Sequence, residues 1–144
     1  MRKINEVIIH CTATRPEFML NSSNEERVAE IKRWHVEGNG WSDIAYHYLI
    51  NRDGEISKGR PLWRTGAHCR GRNSNSVGVS LFGGFGSEAD DEFEDHFTLE
   101  QLASLEQLVE ELVSKFGKCV KISGHNEYAN KACPGFQVED LYPR

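Results

Sequence analysis

The chain has 144 residues, of which 38% are hydrophobic and 27% charged, the size and balance of one globular domain rather than of a disordered chain. Its 17 lysines and arginines against 22 aspartates and glutamates give a formal net charge of -5, which argues against nucleic acid as a partner. The early apolar run Val7-Ile8-Ile9 is too short for a signal-peptide core, and no stretch approaches the ~20 apolar residues of a membrane span, so synthesis in a cytoplasm without membrane insertion is expected.

Neither an internal repeat nor a Pro- or Ser-rich linker interrupts the chain, and one domain over residues 1–144 is the expectation. Val7 to Thr12 is β-branched and apolar and reads as a buried strand. Asn24 to Glu37 reads as a helix, with Ser22, Ser23 or Asn24 to cap it, Val28 and Ile31 on its apolar side and Gly38 to stop it. Tyr46 to Asn51 is a second strand, and Arg52-Asp53-Gly54 turns it back into Glu55-Ile56-Ser57 as a hairpin. Val77 to Phe82 is a third strand, closed by Gly83-Gly84. Thr98 to Phe116 is the clearest helix: Thr98 and Gln101 form a capping box, and Leu102, Leu105, Val109, Leu112 and Phe116 mark one face. Val120 to Ser123 is a short last strand, followed by Gly124-His125 and a loop to Cys133-Pro134. Strands and helices intermix, so the fold class is α/β, a central mixed sheet flanked by helices.

Histidine and cysteine are the candidates for chemistry. His10 lies in an apolar strand, where its ring needs a polar partner; taken alone, such a histidine is more often a hydrogen-bonded core residue than a ligand. His10 and Cys11 point to opposite faces of that strand, so at most one of them reaches a given metal, and Cys11 belongs to the core. His125 and Cys133 are eight positions apart, looser than the pairs of structural zinc sites, and a third ligand would come from a distant strand. The four cysteines are few and unevenly spaced, which suits thiols or metal ligands rather than a disulfide framework. Lys58, Arg60, Arg64, Arg70 and Arg72 fall within fifteen residues that hold no acid, whereas Glu88, Asp90, Asp91, Glu92, Glu94 and Asp95 crowd a later stretch. The acidic run lacks the spacing and glycine of a calcium loop and reads as a solvated loop.

Ile9-His10-Cys11-Thr12-Ala13-Thr14, Trp41-Ser42-Asp43-Ile44-Ala45-Tyr46-His47-Tyr48, Ile50-Asn51-Arg52-Asp53-Gly54, Gly66-Ala67-His68, Asn75-Ser76-Val77-Gly78-Val79 and Gly124-His125 through Lys131-Ala132-Cys133-Pro134-Gly135-Phe136 follow one another over nearly the whole chain. Together they resemble the type 2 N-acetylmuramoyl-L-alanine amidases, among them the short phage lysozymes of amidase type, and more distantly the animal peptidoglycan recognition proteins. The resemblance implies one zinc ion per chain on His10, His125 and Cys133, with a fourth position left for water. It implies catalytic roles for Tyr46 and Lys131, and a cleft in which His68, Arg70, Arg72 and Asn75 meet peptidoglycan, the two arginines facing the carboxylates of the peptide stem. The implied reaction is hydrolysis of the amide between N-acetylmuramic acid and L-alanine, by a monomer that reaches the wall from the cytoplasm through a holin-type pore. Two alternatives follow from the same resemblance: a recognition protein that binds peptidoglycan without cutting it, whose members typically lack the cysteine present here as Cys133, and a protein that binds and inhibits a phage RNA polymerase.

Overall fold

The computed structural model describes residues 1–144. Five strands form one mixed sheet in the order β3-β2-β4-β1-β5: β1 Glu6–Cys11, β2 Tyr48–Ile50, β3 Ile56–Lys58, β4 Ser76–Leu81 and β5 Lys121–Gly124. β1 lies between β4 and β5 and runs parallel to both; β2 is parallel to β4, and only the β2–β3 hairpin is antiparallel. All six residues of β1 and all six of β4 are buried, as expected for the centre of a sheet covered on both faces.

The two faces differ in chemistry, and the strand alternation sets the difference. Val7, Ile9 and Cys11 of β1 and Val77, Val79 and Leu81 of β4 point to one side. There they pack against Leu105, Leu108, Val109 and Leu112 of the long helix α3, Leu99–Phe116. Thr98 caps α3 as the sequence predicts: its hydroxyl accepts from the Gln101 N–H, and the Gln101 side chain accepts from the Thr98 N–H. Gln101 is fully buried, and its amide also donates to the carbonyls of Ile50 (3.1 Å) and Phe82 (2.9 Å), tying the helix to the ends of β2 and β4. The opposite face of the same strands carries Ile8 and His10 beside Ser76, Gly78 and Ser80. Small and polar side chains there leave room for rings.

Three expectations shift. The first helix, α1, covers Asn24–Arg33, and Trp34–Gly38 continues it as a wider π-helical turn. The second strand is shorter than its apolar run, leaving Tyr46 and His47 just ahead of β2. The acidic stretch is not simply a solvated loop: Phe93–His96 forms a short helix, α2, because Phe93 and Phe97 anchor it in the core against Phe136 while the acids face outward. A last short helix, α4, spans Val138–Leu141 around the buried Val138.

Candidate metal centre and cleft

His10 stands near the carboxyl end of β1, on the polar face of the sheet. The parallel register pairs Ile9 with Gly124, the last residue of β5, so the chain leaves β5 with His125 directly beside His10; their rings lie 4.6 Å apart. The loop after His125 folds back and returns Cys133 to the end of β1, where its Sγ accepts the Cys11 N–H at 3.2 Å and lies 3.8 Å from His10 Nδ1. One ligand atom from each of His10, His125 and Cys133 falls within 4.8 Å of the others. Tetrahedral zinc with bonds of ~2.0–2.3 Å sets its ligands about 3.3–3.8 Å apart. Two imidazoles and a thiol at these separations, at the carboxyl ends of parallel strands, suit that ion in donor type and in spacing.

The electrostatics favour the metal-binding forms of the histidines. Burial, then the neighbouring His68, His125 and Lys131, holds the pKa of His10 well below its usual value. Burial and then Lys131 lower that of His125. Both rings are therefore neutral, the state that ligates. The Cys133 thiol is pushed up, first by its contact with the Cys11 side chain and then by burial, while the Cys11 N–H and Lys131 act the other way. A cation taking up the thiolate would displace that proton. All four cysteines are free thiols; Cys11 belongs to the core cluster on the far side of the strand from His10.

A cleft of roughly 500 Å³ opens beside His125, lined by Trp41, Ala67, His68, Cys69, Arg70, Asn73, His125, Tyr128, Ala129 and Lys131. Tyr46 sets its ring 5.2 Å from that of His10, with the Ser80 hydroxyl beside its own. Burial raises the Tyr46 pKa, so the phenol keeps its proton and remains a donor. Lys131 is exposed at the rim yet close enough to act electrostatically on His10, His125 and Cys133. His68 is 5% exposed and bonded to His10. Of the two arginines expected against substrate, Arg70 lines the cleft.

Arg72 and Asn75 do not join them; with Asn5, Glu6 and Gly71 they border a separate depression. The buried carboxylate of Glu6 draws Arg72 there, 3.6 Å away, and the guanidinium lies 4.0 Å over the ring of Tyr128. Two more residues of the basic run are engaged within the protein: Arg60 is buried and donates to the carbonyls of Ile44 and Thr65, and Arg64 pairs with Asp43. Both aromatic residues of the cleft had no assigned role from sequence. Trp41 projects from the loop after the π-helical turn, and Tyr128 forms the far wall, its hydroxyl donating to Glu6 and accepting from Lys121. The alternation of Ser76, Gly78 and Ser80 with Val77, Val79 and Leu81 was the readable sign that β4 lends one face to a site.

A family model described as N-acetylmuramoyl-L-alanine amidase matches residues 1–136. The endolysin of Escherichia phage T7 is 39% identical over 133 residues, 92% of this chain and 82% of that protein. Peptidoglycan-recognition protein SC2 of Drosophila melanogaster is 30% identical over 115 residues, 78% of this chain and 58% of its own length. Among solved structures, N-acetylmuramoyl-L-alanine amidase LysC from Clostridium intestinale has a TM-score of 0.76 at 27% identity, covering 97% of this chain and 83% of that one. With a family model over most of its length and a phage endolysin well above the identity at which kinship is secure, this chain belongs to the type 2 N-acetylmuramoyl-L-alanine amidase family, to which the peptidoglycan recognition proteins are related.

Proposed function

We propose that the protein is a zinc-dependent amidase that cuts the bond between the lactyl group of N-acetylmuramic acid and the stem L-alanine of peptidoglycan. The observation that carries this reading is the convergence of His10, His125 and Cys133, with their ligand atoms within 4.8 Å of one another and His125 on the wall of the cleft. Zinc held there supplies Lewis-acid chemistry, polarising a carbonyl and acidifying water. Tyr46 keeps its phenolic proton and donates it as a hydrogen bond towards charge that develops at the scissile carbonyl. Lys131 brings a positive charge to the same place from the rim, two residues from a ligand. Arg70 meets a carboxylate of the peptide stem, and Trp41 and Tyr128 offer flat apolar walls to the chain of the substrate.

The relatives support the biological setting. An endolysin name on the phage relatives fits lysis of a host wall by one amidase domain over residues 1–144, made in a cytoplasm and passing to the wall through a holin-type pore. A non-cutting recognition role is disfavoured by Cys133, which completes the set of metal-binding side chains. Metal analysis tests the reading. Wild-type protein is expected to carry one zinc per chain, and Cys133→Ser to lose the metal and the activity together. Full activity in protein stripped of zinc would remove the metal from the reaction.

A further inference from the structure

The imidazole of His10 has two nitrogens, and only one can face a metal. Its Nδ1 lies on the side of Cys133, whereas its Nε2 is 2.9 Å from Nδ1 of His68. The far nitrogen of His68, Nε2, is 3.2 Å from the hydroxyl of Ser76, and that hydroxyl is 2.8 Å from the carbonyl of Arg72. A carbonyl can only accept, so the single proton of Ser76 goes to Arg72. Ser76 must then accept from His68 Nε2–H, which leaves His68 Nδ1 with a lone pair. His10 Nε2 must therefore carry the proton that fills the first bond, and the lone pair of His10 is left on Nδ1, towards Cys133. The polarity of the whole chain is dictated from its far end, without reference to any ion.

The slot that holds His68 is built for a ring in this orientation. A β-carbon on Gly78 would come within 2.6 Å of the His68 ring, and one on Gly66 within 2.8 Å, so both positions must lack one. The side chain of Asn73 accepts from the backbone N–H groups of His68 and Cys69, each at 2.9 Å, pinning the loop from behind. The ring is 5% exposed, and both of its nitrogens are engaged within the protein. It can touch a substrate in the cleft with carbon atoms, but it has no free polar atom to recognise one.

We propose that His68 is a positioning residue of the metal centre rather than a polar contact for substrate: through Ser76 and the Arg72 carbonyl it fixes His10 in the Nε2–H tautomer, so that Nδ1 is ready to ligate. The proposal rests on the zinc reading of His10, His125 and Cys133, but the tautomer itself is a property of the metal-free chain. Outer-sphere acceptors of this kind typically change metal affinity by about 10–100-fold.

The test therefore has two arms. Long-range proton–nitrogen correlation spectra of metal-free protein report the His10 tautomer, and competition with a chromogenic chelator reports zinc affinity. Wild type is expected to show His10 protonated on Nε2. His68→Leu is expected to give mixed tautomers and to weaken zinc about 10–100-fold. His68→Asn, which returns an acceptor oxygen near the position of Nδ1, is expected to recover most of that loss. Ser76→Ala keeps the ring and removes only the far link, so it covers the case in which His68→Leu fails to fold; it should also release the tautomer. His10 protonated on Nδ1 in metal-free wild type, or zinc bound equally tightly by wild type, His68→Leu and Ser76→Ala, would overturn the proposal. A wild-type chain that takes up no zinc would overturn the metal reading instead, and the tautomer spectra alone would then decide for or against the hold of His68 on His10.

Discussion

Tyr46 sets its ring 5.2 Å from that of His10, and Lys131 lines the cleft beside His125. If their part is to stabilise charge that appears only in the transition state, each should matter to turnover and not to metal content or substrate binding. Tyr46→Phe keeps the ring and removes the donor; Lys131→Met keeps the stem and removes the charge. Each is expected to lower kcat about 10²–10³-fold at unchanged zinc occupancy, read from steady-state kinetics on a soluble muropeptide. Wild-type turnover in both variants would strip them of these roles. Arg70→Ala, by contrast, is expected to raise KM with kcat nearly kept. His47 lends itself to a different experiment. Its Nδ1 accepts the Gly78 N–H and its Nε2–H donates to the Arg64 carbonyl, and burial lowers its pKa from 6.5 to about 4. The unfolded chain therefore binds this proton more readily than the folded one. Stability from this source is full above pH 6.5 and is lost as the pH falls from 6.5 towards 4, by up to about 3 kcal/mol. Urea unfolding at several pH values should show His47→Gln losing less stability than wild type across that window; parallel profiles would refute the assignment. At this scale the sequence exposed the types of residue but not their company. His10, Tyr46 and Lys131 each have an ordinary structural explanation when taken singly, and only resemblance to a family joined them. The pairing of Arg72 with Glu6 could not be read either, because a basic run looks the same whether its charges face a ligand or a buried acid.

Elements were more legible than contacts. The capping box at Thr98, the apolar stripe of α3 and the Asp53-Gly54 turn were all written in local sequence, because each depends on neighbours within a few positions. The joint between helix and sheet was not. Gln101 reads as a capping residue, yet its fully buried amide also holds the carbonyls at the ends of β2 and β4. Gln101→Leu leaves the Thr98 N–H without a partner and takes one donor from each carbonyl, Ile50 keeping the Phe82 N–H and Phe82 keeping Arg52, and is expected to cost about 1–3 kcal/mol in urea unfolding, with the specific activity of the folded fraction unchanged. A change below about 0.5 kcal/mol would mean that the joint contributes little. Helix α2 was hidden for a related reason. Six acids between Glu88 and Asp95 dominate the composition of that stretch, and the two phenylalanines that fasten it act through distant contacts with Phe136. The meeting of His10 with His125 depends on parallel register between strands more than a hundred residues apart in sequence, a quantity that local periodicity cannot supply.

The whole molecule divides its labour between the two faces of one sheet. The face of Val7, Ile9, Val77 and Val79 builds a core with α3, and the opposite face seats the His68 ring over Ser76 and Gly78 and sets His10 beside His125. A metal that binds the folded chain and not the unfolded one would stabilise the whole by mass action, about 2.7 kcal/mol at a free concentration one hundred times Kd. For a domain of this size zinc should then raise Tm by roughly 5–10 °C over chelated protein, and His10→Ala should abolish the shift. An unchanged Tm on adding zinc would argue against a folded-state site. The most direct measurement is on the product: mass spectrometry of purified peptidoglycan digested by zinc-loaded and by chelated protein. The zinc amidase proposed here predicts peptide stems with new L-alanine amino termini, glycan strands without new reducing ends, and no products after chelation. New reducing sugars, or the same products from metal-free protein, would contradict it.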